Sequence, residues 1–138
     1  MDFYERALGV SFLPPLESRY PRVVQSDGEA PFTARMTYSR GGPVHLELVE
    51  VVEAAGTGLW AGHHDHQVHH VGMWCPDPRS TAADLVTEGF EWEADCCQPD
   101  GSVPVVFVRR GGYRLELVTE ARRPRWTDWV AGRIASPR

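Results

Sequence analysis

Histidines are concentrated in one short stretch of the chain. Five of the six lie in HHDHQVHHVGMWCPD, residues 63–77. Imidazole nitrogens bind divalent metals and move protons near neutral pH. His63, His64 and His66 lie in a polar segment typical of a loop, which could bind metal adventitiously. His70 comes directly before an apolar run typical of a strand, so the sequence favours it as the histidine that a fold would place in a site.

Two glutamates recur at matching positions of an internal repeat. RGGPVHLELVE (residues 40–50) and RGGYRLELVTE (residues 110–120) each join a Gly-Gly turn to an alternating strand with a glutamate inside LELV. Such self-similarity predicts two structurally related halves. One glutamate in an apolar strand could simply face solvent on the open side of a sheet. Because Glu47 and Glu116 occupy the same place in both copies, a shared chemical role is favoured.

Together these residues predict a metal site. If two curved modules pair their sheets into a trough, Glu47 and Glu116 come from matching strands and converge with His70. One imidazole and two carboxylates suit a hard or borderline divalent ion such as Zn, Ni, Co, Mn or Fe. His45 alternates onto the same strand face as Glu47 and is a further candidate ligand. Cys75 is expected to be a small buried hydrophobe rather than a ligand.

The second half of the chain has the element pattern β-α-β-β-β. HHVGMW (residues 69–74) is typical of a strand, and Asp77 and Pro78 are suited to begin a helix that ends at Gly89. FEWEADCC alternates as a strand, and VPVVFVRR, GG and YRLELV predict a β-hairpin.

The first half repeats the later part of this pattern. MDFYERALG is typical of the end of a helix, with Gly9 in the place of Gly89, and residues 32–38 alternate as a half-buried strand. Residues 13–31 are rich in proline and are expected to form a loop. We expect no opening strand in this module, so the predicted class is α+β, with paired β-α-β-β-β modules forming an open sheet trough.

Four segments follow from this pattern. They are an incomplete first module at residues 1–52, a linker at 53–67, a second module at 68–121 and a C-terminal tail with a short helix at 122–138.

Composition excludes several classes of function. The net charge of -5 argues against general nucleic-acid binding, and the absence of lysine excludes a Schiff-base mechanism. The arginines cluster toward the C-terminus, either as a solvated tail or as a site for an anionic substrate group. The three cysteines have no metal-ligand or disulfide-framework spacing, and neither a signal peptide nor a membrane span is present. A cytoplasmic protein is expected.

HHVGMW, the Asp-Pro helix start and the paired LEL strands resemble the vicinal oxygen chelate superfamily, the glyoxalase/bleomycin resistance protein/dioxygenase group. The nearest likeness is to members related to glyoxalase I and methylmalonyl-CoA epimerase. The resemblance implies a divalent metal in an open cavity, with ligands at His70, Glu116 and Glu47. The family's fourth ligand, on the first module's opening strand, has no counterpart. An upstream start, a homodimer partner that supplies the edge, or loss of the metal would each explain this gap.

The resemblance implies a small-molecule ligand or substrate and leaves several functions open. A glyoxalase-like lyase or isomerase would act on a substrate with vicinal oxygens through an enolate, with Glu47 as the base. A metal-free, antibiotic-type binding protein would use the same trough, with tryptophans as aromatic walls. An extradiol-type dioxygenase would need ferrous iron on two histidines and one carboxylate. The sequence therefore leaves an enzyme and a binding protein as alternatives.

Overall fold

The computed structural model describes residues 1–54, 58–60 and 67–137. Its helices are α1 (Asp2–Leu8), α2 (Pro78–Thr87) and α3 (Arg123–Val130), the last preceded by a 3-10 turn, Glu120–Arg122. Its strands are β1 (Leu16–Gln25), β2 (Gly28–Tyr38), β3 (Glu47–Ala54), β4 (Val71–Cys75), β5 (Glu91–Cys97), β6 (Val105–Arg110) and β7 (Tyr113–Thr119).

All seven strands belong to one curled, open sheet. Their order is β3-β2-β1-β5-β6-β7-β4, with the two modules joined by antiparallel pairing of β1 with β5. At one edge β4 pairs in parallel with β7. At the other edge, β3 has no second strand beside it among the described residues. The predicted α+β class and the trough of paired modules are confirmed.

The second module forms as its sequence pattern predicts. The Asp77 carboxylate accepts a hydrogen bond from the Ser80 backbone N–H (3.0 Å), and Pro78 occupies the first helical position. Helix α2 packs on the convex face of the sheet, where Val106, Leu115 and other side chains of β6 and β7 are buried. Because side chains alternate along β7, the residues between these buried positions face the concave side.

The expectation of a loop at residues 13–31 is wrong. Residues 16–25 form β1, which pairs with β2 through a register shift between Tyr20 and Val23. Two residues of β1, including Pro21, lie opposite the single residue Pro31 of β2 in this bulge. Proline lacks the N–H that a regular ladder needs, and a bulge tolerates it. The prolines therefore mark an irregularity in the hairpin rather than a loop.

The first module also differs from the second in how its helix packs. Helix α1 ends at Gly9, which adopts the left-handed conformation (φ 66°) as the sequence suggests, yet the helix has no buried residue. Apolar side chains of this half are also exposed, and Val52 on β3 has 55% of its surface exposed.

The concave face carries an aromatic core. Tyr20, Phe32 and Phe107 are buried there, from β1, β2 and β6, together with Leu59. These side chains line the floor of the trough between the two sheet edges. None of the described helices is long and apolar enough to cross a membrane.

The helix cap yields a stability prediction. Replacing Asp77 with Ala removes the hydrogen bond to the Ser80 N–H and should lower the free energy of unfolding by about 1 kcal/mol. The control Asp77→Asn keeps a side-chain acceptor and should retain most of the stability. Urea denaturation followed by circular dichroism measures both. Equal losses in the two variants would contradict a capping role.

Candidate metal centre

Three elements from opposite parts of the sheet deliver the predicted ligands. Glu47 is the first residue of β3, His70 lies directly before β4, and Glu116 is in the middle of β7. In the strand order, β3 is at one edge and the β7-β4 pair is at the other. The curl of the sheet therefore brings the three side chains together.

The three side chains form a compact, largely buried group. His70 Nε2 lies 3.2 Å from Glu47 Oε2 and 3.5 Å from Glu116 Oε2. One ligand atom of each residue lies within 4.8 Å of the other two. The side chains are only 8%, 15% and 19% exposed for His70, Glu47 and Glu116. The structure thus brings together all three predicted ligands.

A glycine provides room for Glu116. Gly72 pairs directly with Glu116 across the parallel β4-β7 ladder. A Cβ atom at this position would lie 3.2 Å from Glu116 Oε2, closer than most side-chain contacts. The glycine in HHVGMW, which sequence reasoning did not single out, therefore leaves space for the Glu116 carboxylate.

Glu47 has a hydrogen-bond donor that Glu116 lacks at the matching position. The Tyr38 hydroxyl donates to Glu47 Oε1 at 2.7 Å, and Tyr38 pairs with Glu47 across β2 and β3. Burial and the neighbouring Glu47 charge raise the pKa of Tyr38 well above its usual value, so the hydroxyl stays a donor. The matching pair in the second module is Phe107 and Glu116, at the same spacing in sequence. That repeat spacing is the signal that could have identified Tyr38.

The two carboxylates control the protonation of His70. Burial by itself lowers the pKa of His70, but hydrogen bonds and negative charge from Glu116 and Glu47 outweigh it and raise the pKa to about 10. In the absence of metal, the imidazole therefore carries a positive charge that offsets part of the negative charge of the two carboxylates near neutral pH.

Sequence reasoning also missed a set of residues behind His70. The Nδ1 atoms of His69 and His70 are 2.8 Å apart, and His69 Nε2 lies 2.9 Å from the Leu59 carbonyl oxygen. Trp60 stacks on the His69 ring with centroids 4.2 Å apart. The adjacent histidines in the sequence could have drawn attention to His69. Their contact through Nδ1, however, depends on the backbone conformation before β4, which the sequence pattern does not give.

His45 does not join the three ligands. Its Nδ1–H donates to the Ser39 carbonyl oxygen at 2.7 Å, and its ring packs against Trp126. Strand β3 begins at Glu47, so the alternation that would place His45 on the Glu47 face does not extend back to it. The hypothesis that His45 is a ligand is therefore wrong for this arrangement. His63, His64 and His66 lie outside the described residues.

Other predicted roles have mixed outcomes. Cys75 is buried, as expected of a small hydrophobe. Trp126 of α3 packs edge-on against Tyr38 and Trp74, with centroids 5.4 and 5.5 Å away, so the tail helix forms an aromatic wall beside the Glu47 end of the trough. Trp92 is 37% exposed and donates to Asp95 instead.

Three of the described C-terminal arginines bind separate partners. Arg109 pairs with Glu91, and Arg133 pairs with Asp128, both at the surface. Arg122 Nη1 donates to the Tyr20 hydroxyl at 3.1 Å. These contacts favour the interpretation of a largely solvated basic segment.

The donor set fits a divalent ion. Ligand atoms about 2.1 Å from a tetrahedral ion lie about 3.4 Å from one another, close to the two distances at His70 Nε2. Two carboxylate oxygens and one imidazole nitrogen suit a hard or borderline metal. An ion held by these three side chains would have a further position for water or substrate.

The fold and this group define a paired-module protein with a candidate metal centre between its sheet edges. The family model of the Glyoxalase/Bleomycin resistance protein/Dioxygenase superfamily matches residues 1–107, and the chain belongs to this superfamily. The matched range includes Glu47 and His70, whereas Glu116 lies beyond it. No curated protein and no solved structure matches the chain.

The raised pKa of His70 yields a pH prediction for the metal-free protein. The folded-state pKa of about 10 lies above the ordinary value of 6.5. The ion pairs of protonated His70 with Glu47 and Glu116 therefore stabilise the fold fully at and below pH 6.5, and this contribution is lost as the pH rises through 10. In chelator, the loss of Tm caused by His70→Gln should be largest near pH 6 and shrink toward pH 10.

His45→Gln is the matched control because its ring lies outside the three-residue group. The thermal melts of wild type and both variants, followed by circular dichroism across this range, measure the effect. A His70→Gln effect that does not change with pH would contradict the ion-pair account.

Proposed function

We propose that the protein is a divalent-metal-dependent lyase or isomerase of the glyoxalase type, acting on a small substrate with vicinal oxygens. The observation that carries this proposal is the convergence of Glu47, His70 and Glu116 on one point between the sheet edges. Three protein ligands with an open position are typical of catalytic rather than structural metal sites. Superfamily membership supports the same reading.

A bound divalent ion would polarise a substrate carbonyl and stabilise the negative charge of an enolate. His70 and Glu116 would hold the ion throughout, whereas Glu47 would bind it only until a substrate enters. His70 would bind through Nε2, the nitrogen that faces both carboxylates. The largely buried setting limits water around these groups, which strengthens their electrostatic interaction with a substrate.

Glu47 is the proposed base. Its Oε1 is held by the Tyr38 hydroxyl, which leaves Oε2 as the atom directed at the centre of the group. A general base must be positioned within hydrogen-bond reach of the proton that it removes. Tyr38 fixes the carboxylate for that purpose, while Glu116, which lacks this donor, remains a ligand.

A metal-free binding protein is the second candidate. The observation that favours it is the ion pairing of His70 with both glutamates, which reduces the repulsion between the two carboxylates without a metal. An extradiol-type dioxygenase is less well supported, because one histidine and two carboxylates do not match the two histidines and one carboxylate of such iron sites.

Metal binding and proton transfer together test the enzyme proposal. Untagged wild type should bind close to one equivalent of Zn, Ni, Co or Mn, measured by elemental analysis after dialysis. His70→Ala and Glu116→Gln each remove a ligand and should lose most of this metal. The loaded wild type should exchange the proton next to the carbonyl of a suitable α-hydroxy ketone or thioester for deuterium, as followed by NMR in D2O. Glu47→Gln should slow this exchange by about 10²-fold or more relative to its bound metal.

His45→Ala is the matched control and should keep both metal and exchange, because its ring bonds Ser39 outside the group. Wild type that stays metal-free after incubation with these ions would contradict the enzyme proposal. Quenching of tryptophan fluorescence by an aromatic drug in that metal-free protein would then support the binding protein.

We also propose a cytoplasmic homodimer. All three cysteines are buried and free, which is consistent with a reducing compartment. The edge strand β3 exposes apolar Val51 and Val52, at 43% and 55%. Exposed strand edges tend to pair with another chain unless they are blocked.

A charge on this edge tests the dimer. Val52→Lys should shift wild-type dimer toward monomer in sedimentation equilibrium, because a charged side chain disfavours pairing at a strand edge. Val86→Lys on α2 replaces a similarly exposed valine (44%) away from β3 and should leave the dimer intact. A monomeric wild type, or equal effects of both variants, would contradict pairing through β3.

A further inference from the structure

We propose that His69 is a positioning residue of the metal centre, which holds a proton on His70 Nδ1 and so presents the His70 Nε2 lone pair to a metal. This inference rests on the metal site proposed above and extends it to a residue that touches only the ligand, not the ion.

The polar contacts behind His70 run in series from His70 to His69 and on to Leu59. His70 Nδ1 lies 2.8 Å from His69 Nδ1, and His69 Nε2 lies 2.9 Å from the carbonyl oxygen of Leu59. On the other side of the His70 ring, Nε2 faces Glu47 and Glu116. Each nitrogen of both rings therefore has a close polar neighbour.

If His70 binds a metal, the positions of the ring protons on His70 and His69 follow from the hydrogen bonds between them. A neutral imidazole has one N–H and one lone pair. If His70 Nε2 binds metal, its proton must be on Nδ1, and that N–H needs an acceptor. His69 Nδ1 can accept only when the His69 proton is on Nε2. The Leu59 carbonyl, which can only accept, receives that N–H.

Arg114 is a second polar neighbour of His69 Nε2, in addition to the Leu59 carbonyl. Its Nη1 lies 2.9 Å from His69 Nε2 and is a donor, so this contact favours the opposite tautomer, with the His69 proton on Nδ1. Arg114 is independently held by Glu93 through Nε and Nη2, at 2.6 and 3.0 Å. Because these bonds persist in either tautomer of His69, the arrangement with the His69 N–H on the Leu59 carbonyl does not require the release of Arg114.

Aromatic packing fixes the orientation of the His69 ring. Trp60 stacks on it with an interplanar angle of 6°. Phe32 in turn stacks on Trp60, with ring centroids 4.7 Å apart. Stacking restricts the tilt of the imidazole, so its two nitrogens stay directed at His70 and Leu59. Partners of this kind, behind a ligand, commonly change metal affinity by about 10- to 100-fold.

Two variants of similar size separate a hydrogen-bonding role from a packing role. His69→Asn keeps an acceptor near the position of Nδ1, whereas His69→Leu removes it. Zinc affinity, measured by competition with a chromophoric chelator, should fall about 10- to 100-fold in His69→Leu and recover most of the wild-type value in His69→Asn. Thermal melts in chelator show whether both variants fold.

A direct readout in the wild type does not depend on any variant. In zinc-loaded, 15N-labelled protein, two-bond 1H–15N correlations report which ring nitrogen carries the proton. We expect the proton of His70 on Nδ1 and that of His69 on Nε2. A His69 proton on Nδ1 would overturn the inference, even if His69→Leu fails to fold.

The outcomes distinguish this inference from the proposed function. Wild type that binds no zinc overturns the metal site, and the inference falls with it. Wild type that binds zinc, together with a folded His69→Leu variant of unchanged affinity, overturns only the role of His69. Weakened binding in His69→Leu that Asn restores, with the expected tautomers, supports it.

Discussion

Two carboxylates that share a largely buried position impose the main constraint on this protein. Glu47 and Glu116 both point at His70, and like charges so close together are costly unless a cation lies between them. In the metal-free protein, the protonated imidazole supplies that cation, as the raised pKa of His70 indicates. A divalent ion would serve the same electrostatic purpose and would replace the proton. The protonation of His70 and the binding of a metal would therefore both change the stability of the fold.

The residues next to the two carboxylates accommodate them in different ways. Gly72 leaves space for the Glu116 carboxylate, and Tyr38 holds the Glu47 carboxylate from the neighbouring strand. The two modules share their LELV strands but differ at the cross-strand position, which is Tyr38 in one and Phe107 in the other. This difference makes the two glutamates of the same repeat chemically unequal, because Glu47 accepts a hydrogen bond from a tyrosine hydroxyl and Glu116 has a phenylalanine at the matching position.

The modules also differ in how completely they are covered. Helix α2 packs on β6 and β7, whereas α1 buries no residue, and β3 has no outer neighbour among the described strands. The cluster beneath α2 is therefore local to the second module, whereas its concave face packs with Tyr20 and Phe32 of the first. The first module depends on β1, which joins it to β5. The tail helix α3 adds aromatic contacts near Tyr38 and so links the C-terminus to the Glu47 side of the trough.

The sequence alone predicted the α+β class of paired modules and the three residues that the sheet brings together, because repeats, alternation, caps and turns are local signals. The repeated LELV predicted Glu47 and Glu116, and the adjacent strand predicted His70. Only the tertiary structure decided that residues 16–25 form a strand, since a bulge absorbs prolines that read as a loop. It also decided that His45 bonds Ser39 and that His69 lies behind His70. Those contacts depend on strand ends and ring orientations, which arise from long-range packing that no local pattern records.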